Sequence, residues 1–268
     1  MNLLGHGPIQ KMVSEVLETV QYHLPMGESQ VPMNALLGKT IQLLYAGEIR
    51  CLACGRRTKK SFNQGHCFPC LRKLARCDTC IVRPEQCHYD QGTCREPEWG
   101  ERYCLIPHTV YLANTGALKV GITRGGNELT RWVDQGATQA IPIRTVPNRL
   151  SSGQAEVGFK DHVADRTNWR VMLSGVPATL DMAAERERLI HAMGQQLVDL
   201  PGGPSDAQAQ SIRYPVLDYP DKVRSLNLDK EPIVEGTLQG IKGQYLLLDT
   251  GVINMRKYGG YVLELSAS

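Results

Sequence analysis

The sequence predicts an α+β protein assembled from several small units, on three observations. Nine cysteines fall between positions 51 and 104, several of them in pairs with two residues between. From residue 108 onward, strand-like alternation gives way to the apolar spacing of short helices. After Pro232 the chain turns to short apolar runs separated by turns. An apolar content of 42% is enough for packed cores, while 26 glycines and 15 prolines predict frequent turns. At 268 residues the chain exceeds one typical domain. The boundaries read as 1–50, an N-terminal helix and strand subdomain; 51–106, cysteine modules; 107–200, a three-stranded antiparallel sheet with flanking helices; 201–231, a linker; and 232–268, a small β-subdomain.

In the first segment, Ile9, Met12, Val13, Val16, Leu17 and Val20 have helical spacing, and Gly38 to Ile49 reads as two strands joined at Ala46-Gly47. The second segment opens with Cys51-x2-Cys54-x12-Cys67-x2-Cys70, a zinc-ribbon spacing in which two short loops each offer two thiolates to a tetrahedral metal. Gly55 lets the first loop turn back around the metal, and the Cys67-Phe68-Pro69-Cys70 loop lacks such a glycine. A disulfide framework is the rival, but the N-terminus shows no secretory pattern and no apolar run approaches the roughly 20 residues of a membrane span. The expectation is a cytoplasmic protein, without a membrane partner, whose thiols are metal ligands. Cys77 and Cys80 open a second zinc site. Cys87, His88, Cys94 and Cys104 compete for its other two places, with Cys87 and Cys94 favoured and His88 and Cys104 as alternates. Four thiolates per site argue for structural rather than catalytic metal.

Net charge is +3, and two four-thiolate zinc sites would bring it to about −1, so overall charge says little. Its distribution says more. From Arg50 to Arg76 there are eight basic residues and no acidic one. Arg56, Arg57, Lys59, Lys60, Arg72 and Lys73 are candidate phosphate contacts, beside Phe62, Asn63, Gln64 and His66 for stacking or hydrogen bonding to bases. The plainer alternative is a solvated face that balances thiolate charge.

The central segment begins with Thr109 to Ala113 as a strand, Asn114-Thr115-Gly116 as a hairpin turn and Leu118 to Ile122 as the returning strand. A short helix follows, capped by Asn127 and ended at Gly136, with Leu129, Trp132 and Val133 on its apolar side and Arg131 pointing away from it. Ala140 to Val146 is the third strand, and Ser151 or Ser152 caps a second helix through Asp165. There Glu156 lies three residues before Phe159 and seven before Val163, so a carboxylate sits on the apolar stripe. Such a carboxylate needs a partner: an arginine (Arg131, Arg144 or Arg149), a metal, or a catalytic role. Leu180 to Leu200 reads as a further helix with Met182, Leu189, Ile190 and Met193 inward; its outward Glu185 is a second candidate carboxylate. Pro201 to Ser205 is a loop, and strands are predicted at Val234 to Leu238, Gln244 to Asp249, Val252 to Met255 and Tyr261 to Leu265. Tyr245, Asn254, Arg256, Lys257 and Tyr258 offer a nucleic-acid surface or merely exposed turns.

In their order, Val110-Tyr111-Leu112, Lys119-Val120-Gly121, Thr130-Arg131-Trp132, Glu156 and Asn168 resemble the GIY-YIG endonuclease superfamily over roughly residues 108 to 175. Lys119 stands where that family usually has a tyrosine, and the segment from Gly121 to Arg131 is about two residues longer. The whole chain further resembles a bacterial zinc-binding family, domain of unknown function 2797, through strings such as Lys60 to Gly65, Thr93 to Glu101 and Asp134 to Ala137. The endonuclease resemblance implies a site in which Tyr111 and Lys119 stand near the attacking water, Arg131 stabilises charge on the phosphate, Glu156 holds one Mg or Mn ion, and Asn168 completes the motif. A tyrosine with its ordinary pKa near 10 is a poor base, so a cation such as Lys119 would have to lower it. The expected function is zinc-binding nucleic-acid processing, by metal-dependent phosphodiester cleavage of DNA or RNA. The alternatives are a zinc-dependent nucleic-acid-binding or scaffold protein without chemistry, and a protein-interaction module.

Overall fold

The computed structural model describes residues 1–163 and 166–268, in two compact units. The first comprises Met1–Arg72, Leu173–Gly175 and Arg213–Ser268; the second comprises Lys73–Met172 and Val176–Ile212. The fold is α+β with antiparallel sheets. Among the described residues no helix is long and apolar enough to cross a membrane.

In the first unit, N-terminal and C-terminal strands share one sheet, in the order Asn2–Pro8, Tyr261–Ala267, Thr40–Arg50, Ile233–Lys242, Tyr245–Leu248 and Gly251–Asn254. Register follows the apolar alternation: Leu265 pairs with Leu43 and Ala267 with Ile41, placing buried side chains on one face. Three further strands, Val13–Glu15, Gln21–Met26 and Ser29–Pro32, form a second sheet. The helix expected over Ile9 to Val20 does not form. Ile9, Met12 and Val20 are buried, but Val13 and Leu17 are exposed, because the segment runs extended and Ile9 N–H donates to Tyr261 O at 2.9 Å. Its β-branched residues suit that conformation, and sheet pairing overrides a helical spacing. Nor do Ala46-Gly47 join two strands. One strand runs from Thr40 to Arg50, and Gly47, at φ +74°, lies in a bulge where the pairing jumps from Leu263–Tyr45 to Tyr261–Ile49.

The second unit holds a five-stranded antiparallel sheet where three strands were expected, with His108–Asn114 between Leu118–Arg124 and Gln139–Val146. Val110, Leu112, Val120, Ile122, Ile141 and Ile143 form its core with Ala155 and Phe159 of the Arg149–Phe159 helix and Leu189 and Met193 of the Met182–Met193 helix. Parts of the expected linker belong to this sheet, since Gly203–Pro204 and Gln210–Ser211 pair with the Gln139–Val146 strand.

Local details correct the sequence reading. Asn148 caps the second helix by accepting from Ser151 N at 2.9 Å; Ser151 and Ser152 lie inside the first turn. That helix ends at Phe159, and Asp165 lies outside the described residues. Asn127 precedes the Glu128–Asp134 helix, but its side chain turns to Thr123 instead of capping. Leu129 is exposed, while Trp132 and Val133 are buried as expected.

Candidate functional site

In the first unit, Cys51, Cys54, Cys67 and Cys70 converge, with all four Sγ atoms within 4.8 Å of one another. The Cys51 loop is a tight turn: Gly55 N donates to Cys51 O at 2.8 Å, and Gly55 takes φ +72°. The second pair needs no glycine because Phe68 and Pro69 open the Phe68–Lys73 helix, where proline's missing N–H has no partner to lose. Burial pushes the Cys51 thiol up, but backbone N–H groups of Cys67, Ala53 and Cys54 outweigh it and bring the pKa down to about 6. Cys70 moves the other way, to about 12, through burial and the thiols of Cys67, Cys54 and Cys51. Four such thiols cannot all ionise side by side unaided, and a divalent cation removes the conflict. The quartet is spaced to hold a zinc ion.

The chain around this centre is anchored to the C-terminal strands of the same unit. Ser61 Oγ donates to Gly259 O at 2.7 Å, and a Cβ at Gly259 would fall 2.3 Å from Gln64 O. Asn63 and Gln64 both take positive φ, at 42° and 61°, in a turn closed by paired bonds between Phe62 and His66. This turn displays Phe62 against Phe68, with ring centroids 5.7 Å apart and Phe68 52% exposed. Lys60 lies over the Phe62 ring and Arg72 over the Phe68 ring. Arg56, Arg57 and Lys59 are exposed on the same module, and Lys73 is exposed at the start of the other unit. Tyr258, by contrast, is fully buried and bonded to Leu228 N, so it offers no stacking face.

The second unit places Tyr111 at the middle of its central strand, fully buried, with its ring edge-on to Trp132 at 5.8 Å. Gly121 stands directly opposite, where a Cβ would come within 2.6 Å of Tyr111 Oη; this is the physical reason for glycine there. Tyr111 Oη and Gln135 are 2.8 Å apart. With the Gln135 amide oriented to satisfy both neighbours, its Nε2 donates to Tyr111 Oη and its Oε1 accepts from Arg131 Nε and Nη2, each at 3.2 Å. Sequence reasoning gave Gln135 no role, although its position four residues after Arg131 puts both on one helical face. Burial pushes the Tyr111 hydroxyl up to about 12, against the lowering effect of Arg131, and the nearby Glu156 carboxylate adds to the rise. Tyr111, Arg131, Gln135 and Glu156 therefore share one neighbourhood.

Lys119 is buried on the adjacent strand, with Nζ 3.4 Å from Thr167 Oγ1. The Tyr111 pKa is raised by burial, where a lowering by Lys119 was expected. Asn168 is exposed and caps the Trp169–Leu173 helix, accepting from Arg170 N at 3.2 Å and Val171 N at 3.4 Å. Glu156 is half-buried. Of its candidate partners, Arg144 is bonded to the carbonyls of Leu200, Pro201 and Gly202, and Arg149 to those of Cys80 and Ile81.

The remaining cysteines lie in the second unit, so the expected single cysteine domain is divided. Each part follows its packing partner: the first quartet follows the C-terminal strands, and the rest follow the Arg149–Phe159 helix, where Gly153 abuts Pro84 and Glu85. Cys80, Cys87, Cys94, Cys104 and His88 line one small pocket; Cys77, buried nearby in sequence, is not among its lining residues.

A family model described as a protein of unknown function (DUF2797) matches residues 38–263. The chain belongs to that family. No curated protein and no solved structure gives a significant match.

Proposed function

We propose that this DUF2797 chain is a zinc-dependent nucleic-acid-processing protein whose second unit is a GIY-YIG-like, metal-dependent phosphodiesterase. The observation that supports the reading is the clustering of Tyr111, Arg131 and Glu156, three positions of the resemblance, with Gln135 bridging Tyr111 and Arg131. Among the described residues Glu156 belongs to no group of three metal-binding side chains, which suits Mg or Mn held through one carboxylate and waters. Such an ion would polarise the phosphodiester. Arg131, steadied by Gln135, presents a guanidinium to the charge that develops on the phosphate. Tyr111, held at about 12, keeps its proton at neutral pH and so orients water by hydrogen bonding instead of acting as the base. Lys119 Nζ meets Thr167 Oγ1, the neighbour of Asn168 in the chain.

The basic zinc module supports nucleic acid as the partner. It joins half-buried Phe62 and exposed Phe68 to Lys60 and Arg72, with Arg56, Arg57 and Lys59 close in sequence. The competing reading is a zinc-dependent binder or scaffold without chemistry.

The test is equilibrium binding of zinc-loaded protein to single-stranded, duplex and structured DNA and RNA at several salt concentrations. Replacing Arg57, Lys59 and Lys60 by alanine should weaken binding uniformly across sequences and reduce the salt slope by about 1 for each phosphate no longer neutralised. Affinity and slope unchanged by the triple substitution would reject the basic module as the nucleic-acid surface.

A further inference from the structure

The second unit contains a chelating pocket that is independent of the nucleic-acid reading. We propose that Cys80, Cys87, Cys94 and Cys104 ligate a second zinc ion there, and that this centre seats the Arg149–Phe159 helix. Short-range spacing pointed to Cys77 with Cys80. The fold instead brings together residues from four turns: Cys80 in the Thr79–Ile81 turn, Cys87 after the Pro84–Gln86 turn, Cys94 in the following loop and Cys104 at the end of the Pro97–Tyr103 helix. They surround a cavity of about 10 Å³, room for a single atom or ion. A Cβ on Gly100 would lie 3.4 Å from Cys94 Sγ, and Gly100 O accepts from Cys104 N at 2.7 Å, so both cysteines flank that glycine.

Charge points the same way. Arg149 is half-buried, and the hydrogen bonds of its guanidinium go to the carbonyls of Cys80, at 3.2 Å, and Ile81, at 2.6 Å. Among the described residues no carboxylate pairs with it. A cation in such a position beside neutral thiols lacks compensation, whereas a four-thiolate zinc centre carries about −2 and supplies it. Asp78 and His88 form the rival ligand set, since they lie with Cys80 within 4.8 Å of one another; no three of the four thiols are that close, so ligation requires them to draw together around the cavity they line. The polar atoms of Asp78 and His88 already have partners. Asp78 Oδ2 accepts from Arg95 Nε at 2.7 Å and faces His88 Nε2 at 3.3 Å, while His88 Nδ1 meets Thr93 Oγ1 at 2.7 Å. That arrangement suits an outer shell around the metal.

Metal counting on the purified full chain decides the matter. The wild type should hold two zinc ions, Cys104→Ser one, and Cys77→Ser and His88→Asn two each. One zinc in the wild type would overturn the site, as would retention of two by Cys104→Ser with loss of one from Cys77→Ser or His88→Asn. Cobalt substitution of the unmutated chain guards against a variant that fails to fold. The thiolate-to-cobalt charge-transfer intensity per chain should be about twice that of a single four-thiolate centre, and an intensity equal to one centre would contradict the assignment.

Discussion

Tyr111 reaches across its strand pair to Gly121, and only the missing Cβ of that glycine leaves room for the phenolic oxygen. At that depth the hydroxyl depends on the Gln135 amide, which also bonds Arg131. Replacing Gln135 with leucine should cost about 1–3 kcal/mol by stranding the buried Tyr111 hydroxyl. It should lower the cleavage rate while leaving nucleic-acid affinity unchanged, as measured by denaturant unfolding and single-turnover kinetics. His108 gives a second prediction at this scale. Its Nδ1 bonds Ile106 O, its buried Nε2 meets no partner among the described residues, and burial lowers its pKa to about 4. Because the folded-state pKa lies below the unfolded value, the folded protein binds fewer protons between about pH 6.5 and 4. His108 therefore costs stability as pH falls through that window, by about 3 kcal/mol at pH 4. The loss should be smaller in His108→Gln when the two are compared by urea unfolding across the same range. In the sequence, the order of Tyr111, Gly121, Arg131 and Glu156 identifies a neighbourhood. Spacing does not supply the depth of burial that lifts the Tyr111 hydroxyl to about 12, nor the bridging amide of Gln135.

At the scale of elements, local pattern was legible and long-range pairing was not. The central hairpin could be read because Asn114-Thr115-Gly116 is a turn between two apolar runs, and the structure places strands at His108–Asn114 and Leu118–Arg124. Ile9 to Val20 misled because helical spacing there coincides with burial of only some of its apolar residues against partners remote in sequence. The Ala46-Gly47 bulge misled because a positive-φ glycine looks alike in a turn and in a bulge. The same packing logic makes Gly153 informative. A Cβ there would sit 2.2 Å from Glu85 N and 2.5 Å from Pro84 C, so Gly153→Ala must push the helix off the cysteine-bearing turns. The expected cost is about 1–3 kcal/mol in thermal or denaturant unfolding, whereas alanine at exposed Gln154 on the same helix should be near neutral.

For the whole molecule, the cysteines were the most legible feature and their partition the least. Two residues between paired thiols advertise a metal, but nothing local says that the first quartet belongs with C-terminal strands some two hundred residues away. Chelating the metal from Cys51, Cys54, Cys67 and Cys70 should release the Ser61 to Gly65 turn, disperse the Phe62 and Phe68 pair and abolish nucleic-acid binding, with readdition of zinc restoring it. The central claim, that a zinc-loaded nucleic-acid binder carries a metal-dependent phosphodiesterase, is tested most directly by cleavage of labelled single-stranded, duplex, branched and structured substrates with Mg or Mn, comparing the wild type with Glu156→Ala. The account predicts metal-dependent cleavage of at least one substrate by the wild type, lost in Glu156→Ala while binding persists. Binding with no cleavage of any substrate, or cleavage undiminished by the substitution, would contradict it.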